Sequence, residues 1–408
     1  MSIKAVIFDL DGTLLDTLGD LTSAVNTALR RHDFPLLSEA DVCARVGNGV
    51  RKLLERSVPA GTARPVVDAC LAEFQAQYEE HLVERTHPYP GIPPVIDALR
   101  SRGVRMAVLS NKYHAATSRL IAHYFPGAMA VTLGERAGVP RKPDPTSTLE
   151  ILTILDVKPR EVLYVGDSDV DMHTAKAAGV TAVGALWGFR DRDSLLAAGA
   201  DHIVERPEDL VQLLDRLQLD AAMHAFEMNG FTWTFCATAE QAADYVASQC
   251  RGKTVGMGGS MTLDRLGIYD LLKDSADVHW HWKGDALISS GDVFLTSANA
   301  VSAMGETVNI DGLGNRITAS VYGFDICYVV CGINKLTPDL TSAMRRAREI
   351  AAPLNAKRLA KRTPCAVDGK CHDCHSPERI CRAMTVVMAP PSGMKHYEIV
   401  LVGEDLGY

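Results

Sequence analysis

No apolar run in the 408-residue chain exceeds strand length, well short of the ~20 residues that a membrane-spanning helix needs. The opening stretch, MSIKAVIFDLDG, has no apolar signal core followed by a small-residue cleavage site. A cytoplasmic protein without a membrane partner is therefore expected. A basic excess is lacking too: 42 Lys and Arg against 50 Asp and Glu leave a net charge of −8, which argues against nucleic acid as a partner. Internal repeats and low-complexity linkers are also missing. At roughly 100–200 residues per domain, a chain of this length is expected to form two or three globular units.

What the sequence does contain is alternation. From Ala5 to about residue 217, short apolar runs alternate with helical stretches, which implies a parallel sheet covered on both faces. One long, mostly helical insertion interrupts this pattern at about 17–85. After Leu217 the texture changes to glycine-rich loops and short apolar runs. The expected division is a domain at 1–217, with the insertion as a helical cap, and a second α/β domain at 218–408.

Three strands of the first half end in polar residues at one edge of the sheet: Asp9-Leu10-Asp11-Gly12-Thr13, Ser110-Asn111, and Gly166-Asp167 followed by Asp171. Lys142 sits in the turn that enters the helix at Thr146. Such sheets bind ligands at the carboxyl ends of their strands. Asp9, Asp11 and Asp167 repel one another unless a hard cation lies between them, and Mg2+ favours a few carboxylates together with phosphate oxygens. With Lys142 and the metal neutralising a phosphate, a carboxylate can approach phosphorus. Asp11 can protonate the leaving group and then activate water, while Thr13 or Ser110 donates to phosphate oxygens.

In this order, these four segments resemble the four motifs of the haloacid dehalogenase superfamily. The resemblance implies a Rossmann-like core with Asp9 as nucleophile and Asp11 as acid and base. It also implies Mg2+ held by Asp9, Asp167 and the Asp11 backbone carbonyl, Asp171 behind them, and Lys142, Ser110 and Asn111 on the phosphate. The insertion resembles the helical cap of phosphoglycolate-phosphatase-like members, whose substrate loop would correspond to Arg45, Gly47, Asn48 and Gly49. A small phosphorylated metabolite is the implied substrate, with 2-phosphoglycolate leading and a phosphomutase like β-phosphoglucomutase as the alternative.

In the second half, the loop Val255–Thr262 follows a strand and opens a helix. Its Gly258, Gly259, Ser260 and Thr262 offer amide and hydroxyl donors to an anion, and Asn315, Arg316, Asn334 and Lys335 lie at further strand ends. A basic stretch from Arg345 to Arg362 reads either as a solvated helix face or as a contact to a ligand phosphate. Residues 224–408 resemble the LUD domain of lactate-utilisation proteins. That resemblance implies a fold like ribose-5-phosphate isomerase and CoA transferases, a tie to 2-hydroxy-acid metabolism, and either a homo-oligomer or lactate-utilisation partner proteins. A metabolite-binding or electron-transfer accessory role is the other reading it allows. Cys365, Cys371, Cys374 and Cys381 crowd into 17 residues and could close a zinc site or hold an iron–sulfur cluster.

Overall fold

The computed structural model describes residues 2–47, 49–285 and 288–408, and these divide into two compact units. One unit comprises residues 3–100 and 105–213, and the other comprises 1–2, 101–104 and 214–408. The division at 213/214 and the expected domain boundary at 217/218 both fall inside one helix, Pro207–Met228. Among the described residues no helix is long and apolar enough to cross a membrane.

The first unit is built on a six-stranded parallel sheet in the order Val131–Glu135, Arg105–Tyr113, Ala5–Phe8, Val162–Gly166, Thr181–Ala185, His202–Val204. Ala5–Phe8 is central and wholly buried, which suits its apolar run, because a strand covered on both faces has no polar side. Strand order reverses about this strand, so the crevice beyond its carboxyl end is the natural ligand position.

The insertion is helical as expected: Leu18–Arg31, Glu39–Cys43, Val50–Ser57 and Arg64–Glu80. Its first and last helices pack together, and on the last the buried rings of Phe74 and Tyr78, one turn apart, stack at 5.4 Å. The two ends of the insertion are clasped by buried Asp20, which accepts hydrogen bonds from the amides of Arg85 (2.9 and 3.1 Å) and Thr86 (2.9 Å). A two-residue antiparallel pair, Leu15–Asp16 with His87–Pro88, closes the same junction.

The second unit has its own six-stranded parallel sheet: Asp277–His279, Thr254–Met257, Gly291–Thr296, Phe324–Gly332, His396–Val402, Thr232–Cys236. A smaller mixed sheet of Leu336–Thr337, Ala300–Ser302, Thr307–Asp311 and Ala383–Val387 was not foreseen; two of its strands are only two and three residues long. The stretch 340–358 is helical in three consecutive pieces, Leu340–Arg346, a π-turn Ala347–Ala351 and Ala352–Arg358, with Pro353 in the first turn of the last. Proline has no N–H for a continuous ladder and clashes with the carbonyl four residues back. Ile399 is fully buried at the middle of strand His396–Val402, which is paired on both sides. Truncation of Ile399 to Ala should lower the stability of this unit by about 2–5 kcal/mol, read as an earlier transition in urea.

Candidate functional site

The sheet brings the polar strand ends of the first unit together. Asp9, Asp167 and Asp171 are all buried, and each offers a carboxylate oxygen within 4.8 Å of the others; among the described residues they form the one such acidic, cysteine or histidine group. Lys142 Nζ lies between two of them, 2.8 Å from Asp9 Oδ1 and 2.6 Å from Asp171 Oδ1, above the buried Tyr164 ring. Burial and then the neighbouring Asp171 push the Asp9 carboxyl well above the ordinary range, against the pull of Lys142. The same two causes push Asp167 up to about 7. Burial alone would neutralise Lys142, but Asp171 and Asp9 outweigh it and hold the ammonium charged. Three carboxylates against one ammonium leave a formal charge of −2 in a buried crevice, and a divalent cation fits that deficit.

Local backbone fixes each carboxylate. Ser168 and Asp171 form a reciprocal cap at the start of helix Asp169–Ala178, so Asp171 Oδ2 accepts from the Ser168 amide and hydroxyl while Oδ1 meets Lys142. Both oxygens of Asp171 are therefore engaged. Asp167 accepts from the Phe189 amide at 2.7 Å and from Thr13 Oγ1 at 3.2 Å. Gly12 adopts φ +87°, and a Cβ there would lie 2.3 Å from Asp167 Oδ2; one at Gly188 would lie 2.2 Å from Asp167 Cβ. The two glycines make room for that carboxylate.

The crevice opens into a cavity of about 50 Å3 lined by Asp9, Asp11, Ser110, Asn111, Lys142 and Asp167, by Gly47 and Gly49 of the cap, and by Lys112, Phe189 and Arg190. Most of the expected residues meet here. Thr13 is instead turned against Asp167, and the Asn111 side chain is spent on the Lys142 backbone and the Gly47 carbonyl. Arg45 is not in the lining; its guanidinium donates to the Asp41 and Arg56 carbonyls within the cap. Asn48 lies outside the described residues.

Two cations at the cavity were not anticipated. Arg190 donates to the Val46 carbonyl at 3.1 Å, and Lys112 lies 2.9 Å from Asp11 Oδ1 beneath the cap residue Tyr78, 4.7 Å from its ring centroid. Asp11 also accepts from Thr17 Oγ1 at 2.6 Å. The signal for Lys112 was its place directly after Ser110-Asn111, where side chains at the strand end face the crevice. Arg190 carried no signal beyond proximity to Trp187-Gly188.

In the second unit, Lys335 is buried and donates to Thr262 Oγ1 (2.7 Å) and Ser297 Oγ (2.8 Å). Gly259, Ser260, Thr262, Asn315, Arg316 and Lys335 share one cavity lining. Gly258 is outside it, and so is Asn334, which accepts from the Leu406 amide. The four crowded cysteines are free and partly buried, and the structure does not gather their sulfurs into a ligand group.

Residues 6–185 match the model of the haloacid dehalogenase-like hydrolase family, and residues 219–402 match the LUD domain model. The phosphoglycolate phosphatase of Aquifex aeolicus is 34% identical over 52% of this chain and 97% of its own length. The N-acetylmuramic acid 6-phosphate phosphatase of Pseudomonas aeruginosa is 31% identical over 54% of this chain and 98% of its own. The chain belongs to the haloacid dehalogenase-like hydrolase family. Within that family it is a phosphatase, fused to a LUD domain. A crystal structure of a family protein from Lactobacillus delbrueckii subsp. bulgaricus superposes with a TM-score of 0.50 at 33% identity, covering 52% of this chain and 99% of that one.

Lys112 is the contact that separates this phosphatase from one read by motif alone. Its replacement by Met leaves Asp11 with Thr17 only, and kcat/KM for phosphate release from p-nitrophenyl phosphate should fall about 10–100-fold, or about 1.4–2.7 kcal/mol. Tyr78→Phe keeps the ring over Lys112 and should stay within about threefold of wild type.

Proposed function

We propose that the first unit hydrolyses a small phosphomonoester with Mg2+ through an aspartyl-phosphate on Asp9, with 2-phosphoglycolate as the leading substrate. The observation that carries this reading is the buried Asp9, Asp167 and Asp171 cluster beside Lys142, in a crevice at the switch point of the parallel sheet. Asp9, Asp167 and the Asp11 backbone carbonyl would hold Mg2+, which supplies charge neutralisation at the phosphate.

Lys142, with the Ser110 hydroxyl, binds and orients the phosphate oxygens, while Asp9 attacks phosphorus in line with the departing alcohol. Ser110 Oγ accepts from the Lys112 amide at 3.2 Å, which leaves its own proton for donation to phosphate. Asp11 delivers a proton to the leaving oxygen, then takes one from the water that cleaves the aspartyl-phosphate. Lys112 and Thr17 hold that carboxylate in place for both steps. Asp171 keeps Lys142 aimed, and Asn111 ties the cap loop to the Lys142 loop so that closure and phosphate binding go together.

Arg190 lines the cavity and is available for the carboxylate of a two-carbon acid. Relatives named as phosphoglycolate phosphatases support the same choice, and the Pseudomonas relative supplies the competing one. Glycolate, the product, is a 2-hydroxy acid like lactate, which gives the LUD domain a role in the same metabolite class within the cytoplasm.

Phosphate release from 2-phosphoglycolate should require Mg2+, vanish with EDTA and drop at least about 1000-fold in Asp9→Asn. Full activity in Asp9→Asn would overturn the nucleophile. Faster turnover of N-acetylmuramic acid 6-phosphate would overturn the substrate, and phosphoryl transfer to a sugar hydroxyl without free phosphate would favour the mutase.

A further inference from the structure

The second unit encloses a cavity of about 550 Å3, within the range of small-molecule sites. Six cationic side chains line it, Arg316, Lys335, Arg358, Lys361, Arg379 and Arg382, against two carboxylates, Asp311 and Glu378. Both carboxylates are already matched. Asp311 accepts from the Leu313 and Arg316 amides at 3.2 and 3.1 Å and pairs with Arg316 itself, whose Nε lies 4.0 Å away, and Glu378 accepts from Arg362 Nε, outside the lining, at 2.6 Å. The positive charge of the cavity is therefore left largely uncompensated by protein.

The cations divide into two sets. Arg316 belongs to the frame, because its Nη atoms donate to the Ser297 and Ile310 carbonyls and to the side chains of Asn299 and Asn309. Lys335 is different. It is 3% exposed, its Nζ rests on two hydroxyls, Thr262 and Ser297, and no carboxylate pairs with it among the described residues. A buried ammonium without a counter-ion is costly, and a ligand oxyanion removes that cost. At the more exposed side, Arg358 lies 4.7 Å over the Trp282 ring and the buried Nε of Arg379 has no acceptor. Lys361 completes that rim.

We propose that this cavity binds a small polyanionic metabolite. One oxyanion sits at Lys335, Thr262 and Ser297, and a second, phosphate or carboxylate, meets Arg358, Lys361 and Arg379. A ligand with two anionic groups would serve both the buried Lys335 and the exposed cations, and the cavity volume accommodates a molecule larger than phosphate. Burial lowers Lys335 to about 7, with Arg346, Arg316 and Arg265 pushing the same way and the Cys331 thiol opposing them. The neutral amine that dominates above that value must take up a proton to hold an anion, so binding at pH 8 should absorb protons.

The test is calorimetric titration of the full-length chain, in EDTA without Mg2+, with pyrophosphate, citrate and inorganic phosphate as probes. Pyrophosphate or citrate should bind at least about tenfold more tightly than inorganic phosphate. The winning probe identifies a phosphorylated or a carboxylate ligand. That binding should weaken at least about tenfold in both Lys335→Met and the exposed-rim variant Arg358→Glu, and the proton uptake at pH 8 should disappear in Lys335→Met. Phosphatase turnover should stay at the wild-type value in both variants. Equal binding by wild type and Arg358→Glu, or no binding of either polyanion, overturns the proposal, whatever the fold of Lys335→Met.

Discussion

Lys142 stands between Asp9 and Asp171 inside a crevice that also contains Asp167, so one ammonium faces three buried carboxylates. Left to itself such a group is unstable, because burial and mutual repulsion both drive protons onto the acids. Everything nearby serves to keep it assembled. The helix cap of Ser168 fixes Asp171, the Phe189 amide fixes Asp167, and glycines at 12 and 188 leave those carboxylates room to sit where a side chain would collide. A fold that places so much unbalanced negative charge at the end of its central strand is built around something positive, and phosphate chemistry follows from what that cation and Lys142 attract.

The cap is joined to this crevice by polar ties of the same kind. Asn111 reaches the Gly47 carbonyl, Arg190 reaches the Val46 carbonyl, and Lys112 lies between Asp11 and the Tyr78 ring. The core residues that handle phosphate are therefore also those that touch the cap, and a change in cap position is felt at Asp11 and Lys142 directly. The Asp20 clasp on the amides of Arg85 and Thr86 holds together the two connections between core and cap.

Much of this was readable from residues alone, and for a physical reason. Strands buried on both faces are apolar runs, so Ala5–Phe8 stands where the sequence puts it, and the acids at its end announce a crevice. Side-chain direction was not readable. Arg45 looked like a substrate contact because of its neighbours Gly47–Gly49, yet its guanidinium satisfies carbonyls left open within the cap. Arg316 looked like an anion ligand and turned out to hold the loops of its own cavity. In the mixed sheet of the second unit, Leu336–Thr337 and Ala300–Ser302 are too short to carry a periodicity.

The two units share a chemical theme: each places a buried lysine at its cavity. They differ in how the lysine is balanced, by carboxylates at Lys142 and by hydroxyls at Lys335. The central claim is that a carboxylate on the first strand forms a bond to phosphorus. Rapid acid quench of the enzyme with 32P-labelled 2-phosphoglycolate, followed by tryptic mapping, tests it most directly. The account predicts a hydroxylamine-labile label on the peptide spanning residues 5–30, at Asp9. Turnover with no labelled enzyme under single-turnover conditions, or label on a histidine or serine, would contradict it.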